Sequence, residues 1–211
     1  MYIIFDDKEE EQDNIITKYE NCYYNRWVKL IPEEFMIKFV NYNNKKYFKY
    51  LCDIIEDIEI NDKNNKKKRN TLIQLSKKIE NDEGEWLYLI TLNDCIIKIG
   101  GTRNSITERF GSYLCGHHIE ERGKSGKASQ TNMYIYNTLY FYISNGYKVK
   151  LYGYKLPVER ITRNILNNEV IVEVQTYHTY ESIFITNYKD TYGFNPFLSD
   201  NCDPNYKGSS A

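Results

Sequence analysis

The chain has 211 residues, 28 Lys and Arg against 29 Asp and Glu, and a formal net charge of -1, with 41% hydrophobic residues. That length suits one domain with an appended subdomain, or two small domains, and supports a real core. No apolar run approaches the roughly 20 residues a membrane helix needs. Near-zero charge excludes a generally basic nucleic-acid binder, so any such surface must be local.

Met1-Tyr-Ile-Ile-Phe5 runs straight into Asp6-Asp7, the wrong order for a signal peptide. Cys22, Cys52, Cys95, Cys115 and Cys202 are odd in number, contain no CxxC pair and have no His at zinc-ligand spacing. Reduced thiols in the cytoplasm or nucleus of a host cell are expected. The expectation is an intracellular protein, neither secreted nor bound to a membrane.

Residues 1 to 84 read as a mainly helical subdomain of unknown role. Pro32-Glu33-Glu34 is a helix-start signal, because Pro suits the first turn and carboxylates favour its positive end. Phe48, Leu51, Ile55 and Ile58 share a helical stripe. Asp62 to Arg69 is polar and basic and reads as a linker. Asn70 can cap a helix whose Leu72, Leu75 and Ile79 share a face.

Two short apolar runs, Trp86 to Thr91 and Cys95 to Gly100, flank Leu92-Asn93-Asp94 and predict a hairpin. With a three-residue loop, Thr91 faces Cys95 and Tyr88 faces Lys98. That register sends Leu87, Leu89, Ile97 and Ile99 to a second, wholly apolar face. A two-residue loop would pair Tyr88 with Ile99 and mix the faces. Gly100-Gly101-Thr102-Arg103-Asn104-Ser105 is a turn opening a helix at Ile106, a place where small residues and a helix N-terminus suit an anion. Phe110 and Leu114 would dock that helix on the sheet, leaving Arg109 and Tyr113 to border the Tyr88 face.

His117 to Asn132 is a long stretch of loop formers. Its Lys124 and Lys127, with Arg103 upstream, are candidates for tracking a phosphate backbone, against a plain solvated excursion. A helix is expected from Asn132 to Ser144, ended by Gly146, then a half-buried strand over Tyr147 to Leu156. Val158 to Asn168 reads as helical and Glu169 to Gln175 as a possible short strand. A last helix starts near Thr179, the expected cap, and places Glu181 in its first turn, where the dipole favours a carboxylate anyway. Gly208 to Ala211 reads as a tail outside the fold.

Trp86-Leu87-Tyr88, Lys98-Ile99-Gly100 ten residues after Tyr88, and Arg109 eleven residues beyond Lys98 resemble the motifs of the GIY-YIG nuclease family. Trp86 stands where that family has Gly. Lys98 stands where it has a second Tyr, a form resembling restriction-enzyme and phage or viral members. The resemblance implies an α+β fold over residues 85 to 207, a small antiparallel sheet flanked by helices. It also implies a metal-dependent endonuclease acting on DNA, double-stranded by expectation, with a homodimer possible. Glu181 falls where the family carries its metal-binding glutamate.

In that reading Tyr88 is the general base toward water. A free phenol near pKa ~10 needs a perturber, which Lys98 opposite would supply. Arg109 offers its planar fork to phosphate, and Glu181 holds one Mg²⁺, with Mn²⁺ a possible substitute. The competing expectation is a catalytically silent module on the same fold, serving nucleic-acid binding, viral structure or interaction. An exposed patch of Tyr136, Tyr140, Tyr152 and Tyr154 would favour an interaction surface.

Overall fold

The structure, a computed structural model, describes residues 28, 30–57, 72–115 and 130–199. Its main sheet has six strands. They are β1 (Ile37–Lys38), β2 (Lys49–Glu56), β3 (Ile73–Leu75), β4 (Trp86–Leu92), β5 (Cys95–Thr102) and β6 (Val149–Lys155). All pairings are antiparallel and the order is β1-β5-β4-β6-β2-β3. The helices are α1 (Ile106–Leu114), α2 (Gln130–Ser144) and α3 (Tyr177–Tyr192). A separate two-stranded sheet pairs β7 (Glu159–Ile165) with β8 (Asn168–Val174). This is an α+β protein, and among the described residues no helix is long and apolar enough to cross a membrane.

Strand alternation splits the core into two layers. Tyr88 and Ile90 of β4 face α1 and α2, packing with Phe110, Tyr113, Ile135 and Leu139. Leu87, Leu89 and Ile99 face the other way, onto Phe184 and Tyr188 of α3 and onto Tyr42 and Phe48. β4 is buried along its whole length, as the strand run Trp-Leu-Tyr-Leu-Ile-Thr-Leu requires when both faces are covered.

Several sequence expectations need correction. Within the expected helical stripe, Leu51 and Ile55 are strand, not helix: β2 alternates Cys52 and Ile54 inward and lies between β6 and β3, and Ile58 lies outside the described residues. Leu72 to Leu75 is likewise strand-forming, with Ile73 fully buried in β3. Among the described residues before position 84, the only helical pieces are single 3-10 turns, at Glu33–Phe35, Phe39–Asn41 and Lys45–Tyr47. Short apolar runs satisfy both periods, and here sheet pairing decides. Asp62 to Asn70 lies outside the described residues.

Val158 to Asn168 is also extended rather than helical. β-branched Ile161, Thr162 and Ile165 pair with the alternating run of β8, and Leu166-Asn167, both at positive φ, close a two-residue turn. α3 begins at Tyr177 with Thr176 as its N-cap, three residues earlier than expected. No acidic residue then sits in its first turn, so the dipole no longer explains Glu181. Tyr136 is fully buried, so the four tyrosines named above do not form an exposed patch.

Candidate active site

The β4–β5 hairpin closes on two residues, Asn93 (φ 45°) and Asp94 (φ 65°), and pairs Leu92 with Cys95. The three-residue loop is therefore corrected. A bulge between Ile90 and Thr91 leaves Ile97 extra on β5, so that Ile90 pairs with Lys98 and Tyr88 with Gly100. That single inserted residue restores the division of faces that a plain two-residue hairpin would have mixed. Tyr88 and Lys98 share a face, two pairs apart along the ladder rather than opposite. Ile97 moves to the Tyr88 face, where it joins the α1–α2 core.

Tyr88 is flanked by glycine on both neighbouring strands, Gly100 on β5 and Gly153 on β6. A Cβ at Gly100 would overlap the Tyr88 hydroxyl and lie 2.9 Å from Cε2. Glycine is thus what lets the phenol lie across β5. There its oxygen meets two groups from α1: it is hydrogen-bonded to the Tyr113 hydroxyl, and Arg109 Nε donates to it at 3.2 Å. The guanidinium also sits over the Tyr113 ring, 4.9 Å from its centroid. Residues 109 and 113 are one turn apart, which brings both over the same point of the sheet.

α1 is held in that position at its N-terminus. Asp82 accepts from Ile106 N and Thr107 N, each at 2.8 Å, and Ser105 Oγ accepts from Glu108 N at 3.0 Å. Trp86, standing where the resembled family has Gly, donates from Nε1 to the Asp82 carbonyl at 2.9 Å. The indole therefore ties β4 to the segment that caps the helix carrying Arg109 and Tyr113.

Burial disfavours charge on Arg109, but the Tyr113 and Tyr88 oxygens outweigh it and hold the guanidinium protonated more firmly than usual. Burial pushes the Tyr113 phenol well above its ordinary value, and Tyr88 beside it adds to the rise while Arg109 opposes it. Tyr113 is therefore a neutral hydroxyl across the accessible pH range, able to donate to Tyr88. Sequence reasoning placed Tyr113 at the border of this face but gave it no part in the chemistry. Its spacing of four from Arg109 was the available signal.

Lys98 does not reach Tyr88 as expected. It is buried, and its Nζ donates to the Leu198 carbonyl at 2.8 Å. The same 198–199 segment hydrogen-bonds the outer edge of β5, through Leu198 N to Ile97 O and Ser199 Oγ to Ile99 N and O.

Glu181 approaches from α3, on the opposite side of the sheet from Tyr88. A Cβ at Gly101 would lie 3.0 Å from its Oε2. Tyr88 and Glu181 thus press on consecutive glycines of β5 from opposite faces. His178 Nδ1 lies 4.0 Å from Glu181 Oε2 and stacks on Tyr177. Among the described residues no three or more His, Cys, Asp or Glu side chains gather into a metal cage. A lone half-exposed carboxylate fits a hard cation that keeps most of its waters and shares substrate phosphate oxygens.

Arg103, on the turn after β5, is exposed, and Gln175, with its amide oxygen turned toward it, accepts from Nε at 2.8 Å and Nη2 at 3.1 Å. Lys124, Lys127, His117 and His118 lie outside the described residues. Cys52, Cys95 and Cys115 are free thiols.

No protein family's sequence profile matches the chain, and no curated protein matches it. Among solved structures, it is similar to the restriction endonuclease HPY188I in complex with product DNA. The identity there is 22%, over 76% of this chain and 84% of that one, with a TM-score of 0.49. It is also similar to a mutant of bacteriophage T4 EndoII, at 17% identity over 68% of this chain and 90% of that one, with a TM-score of 0.47.

Proposed function

We propose that this protein is a metal-dependent endonuclease of GIY-YIG type, hydrolysing phosphodiester bonds of double-stranded DNA. The observation that carries the reading is the meeting of Tyr88, Arg109 and Tyr113 at one phenolic oxygen over Gly100, with the Glu181 carboxylate of α3 against the next residue, Gly101, from the other face of the sheet.

Hydrolysis needs a base toward water, cationic donors at the phosphate, and help for the leaving oxygen. Tyr88 serves as the base. Arg109 and Tyr113 donate to its oxygen and fix it in position to take the proton from water. Arg109 is half-buried, and its remaining donors hold a phosphate oxygen on the side from which substrate approaches. Lys98 is fixed by Leu198 and contributes positive potential to the same face. Glu181 holds one Mg²⁺, or Mn²⁺ in its place. When bound there, the ion would supply charge neutralisation at the phosphate and the leaving oxygen. Arg103, Lys124 and Lys127 take backbone phosphates away from the scissile bond.

The test is plasmid nicking and cleavage by the purified full chain in Mg²⁺, with a chelator control. Metal-dependent conversion of supercoiled DNA supports the proposal; its absence at high enzyme excess defeats it. One observation favours a second reading, a non-catalytic DNA-binding module: Tyr88 is only 2% exposed. Salt-sensitive DNA binding without any cleavage would establish that reading instead.

A further inference from the structure

The β7–β8 ribbon stands apart from everything described above. It forms its own two-stranded sheet, and each of its residues from Glu159 to Glu173 is exposed. Isolated hairpins are marginal in water, so such an element is retained where something outside the fold engages it. Its tip is the least explicable part on folding grounds. Leu166 is 91% exposed and sits at φ 52°. A bulky side chain in the left-handed region is a true outlier, and the turn type favours Asn-Gly there. Neither burial nor local backbone preference accounts for a leucine at that point, and strain of this kind gathers at functional positions.

The residues round the tip say what it would meet. Arg163-Asn164-Ile165-Leu166-Asn167-Asn168 holds one cation and three amides, and the nearest carboxylate, Glu169, pairs with Asn164 on the face away from Arg163 and Asn168. Arg160 is engaged by Glu173, with Nη2 2.9 Å from Oε1, whereas Arg163 forms no ion pair among the described residues. Arg and Asn are among the side chains that read the minor groove, and β-ribbons enter that groove as well as the major one. Exposed leucine is among the side chains that wedge between base steps.

We propose that the β7–β8 ribbon is a second DNA contact, entering the minor groove of the duplex with Leu166 as the wedge and Arg163 and Asn168, which share a face, at the base edges. This rests on the nuclease reading and adds to it a determinant of where the chain sits on DNA. The ribbon would set register and sequence preference while the Tyr88 centre cuts.

The experiment compares the full-length chain with a variant carrying Leu166→Asn and Asn167→Gly, and separately with Arg163→Ala. The first pair of changes installs the residues the turn prefers, so the hairpin is retained. Binding is followed by anisotropy on labelled duplexes in chelator, using duplexes scanned with 2-aminopurine to report unstacking. The expected result is about a tenfold loss of affinity in both variants. The 2-aminopurine signal should rise with the unaltered chain and stay flat with the tip variant.

Equal affinity and equal signal in all three proteins would overturn the inference. So would a tip variant that binds DNA normally but loses a dimer seen in sedimentation, since the ribbon would then join two copies. Plasmid cleavage separates the two claims. A chain that cuts DNA with unaffected tip variants refutes the ribbon alone, whereas a chain that neither binds nor cuts refutes both.

Discussion

Gly100→Ala is the smallest change that probes the Tyr88 centre. Gly100 has no positive φ, so its backbone accepts alanine and the whole effect is steric. The new methyl would fall on the Tyr88 hydroxyl and 2.9 Å from Cε2. The ring has little room to retreat, because Tyr88 and Tyr113 are 2% and 1% exposed and are hydrogen-bonded to each other. Overpacking of this kind costs about 1–3 kcal/mol, and loss of the contacts to Tyr113 and Arg109 adds about 1 kcal/mol each. A total near 3–5 kcal/mol corresponds to a drop of roughly 6–20 °C in melting temperature. Urea denaturation gives the energy directly, with Gly111→Ala as the control. Gly111 lies in α1 with nothing within 4 Å of an added Cβ. Alanine there should stabilise by about 0.5–1 kcal/mol. Equal stability of Gly100→Ala and the unaltered chain would refute the steric argument and the placement of the phenol.

Three further outcomes are expected. Asp82→Ala removes two hydrogen bonds from the start of α1 and should cost about 1–2 kcal/mol by thermal melting, with DNA cleavage reduced because Arg109 and Tyr113 ride on that helix. Lys98→Ala leaves the buried Leu198 carbonyl without its donor, at about 1–3 kcal/mol, and should speed hydrogen exchange at the Leu198 amide, which bonds Ile97 O at 2.7 Å. Burial raises the Tyr42 and Tyr142 phenols to about 12. A raised folded value means the native state holds these protons more tightly. Their contribution is thus complete below pH ~10 and lost as pH climbs to about 12, at up to ~1.4 kcal/mol per group per pH unit. The share of tyrosinate absorbance that comes from these two buried phenols should appear together with loss of structure, not before it.

The site was legible in sequence where chemistry and local period agreed. Tyr88, Arg109 and the hairpin lie within one short stretch, and α1 follows from Ile106, Phe110 and Leu114. Sequence reading failed where long-range pairing decides. β2 and β3 look helical because Leu51, Ile55, Leu72 and Leu75 also fit that period; only β6 and each other give them a sheet to join. The β5 bulge has no residue signature, so the sequence sets Lys98 opposite Tyr88 instead of two pairs along. Val158 to Asn168 reads as helical because nothing there marks a hairpin: Leu166-Asn167 closes the turn where Asn-Gly would be the usual signal. Tyr113 was underweighted because a strand tyrosine and a helix tyrosine meet here hydroxyl to hydroxyl, a contact that requires the tertiary structure.

The most direct measurement of the central claim is single-turnover cleavage of a saturated duplex in Mg²⁺ by Tyr88→Phe, Glu181→Ala and the double variant, with binding measured in parallel. Each single change should lower the rate about a hundredfold or more without loss of binding. The double variant should fall little further, because base and metal ligand act on one transition state. Cleavage that survives either substitution within a few-fold would place the chemistry elsewhere.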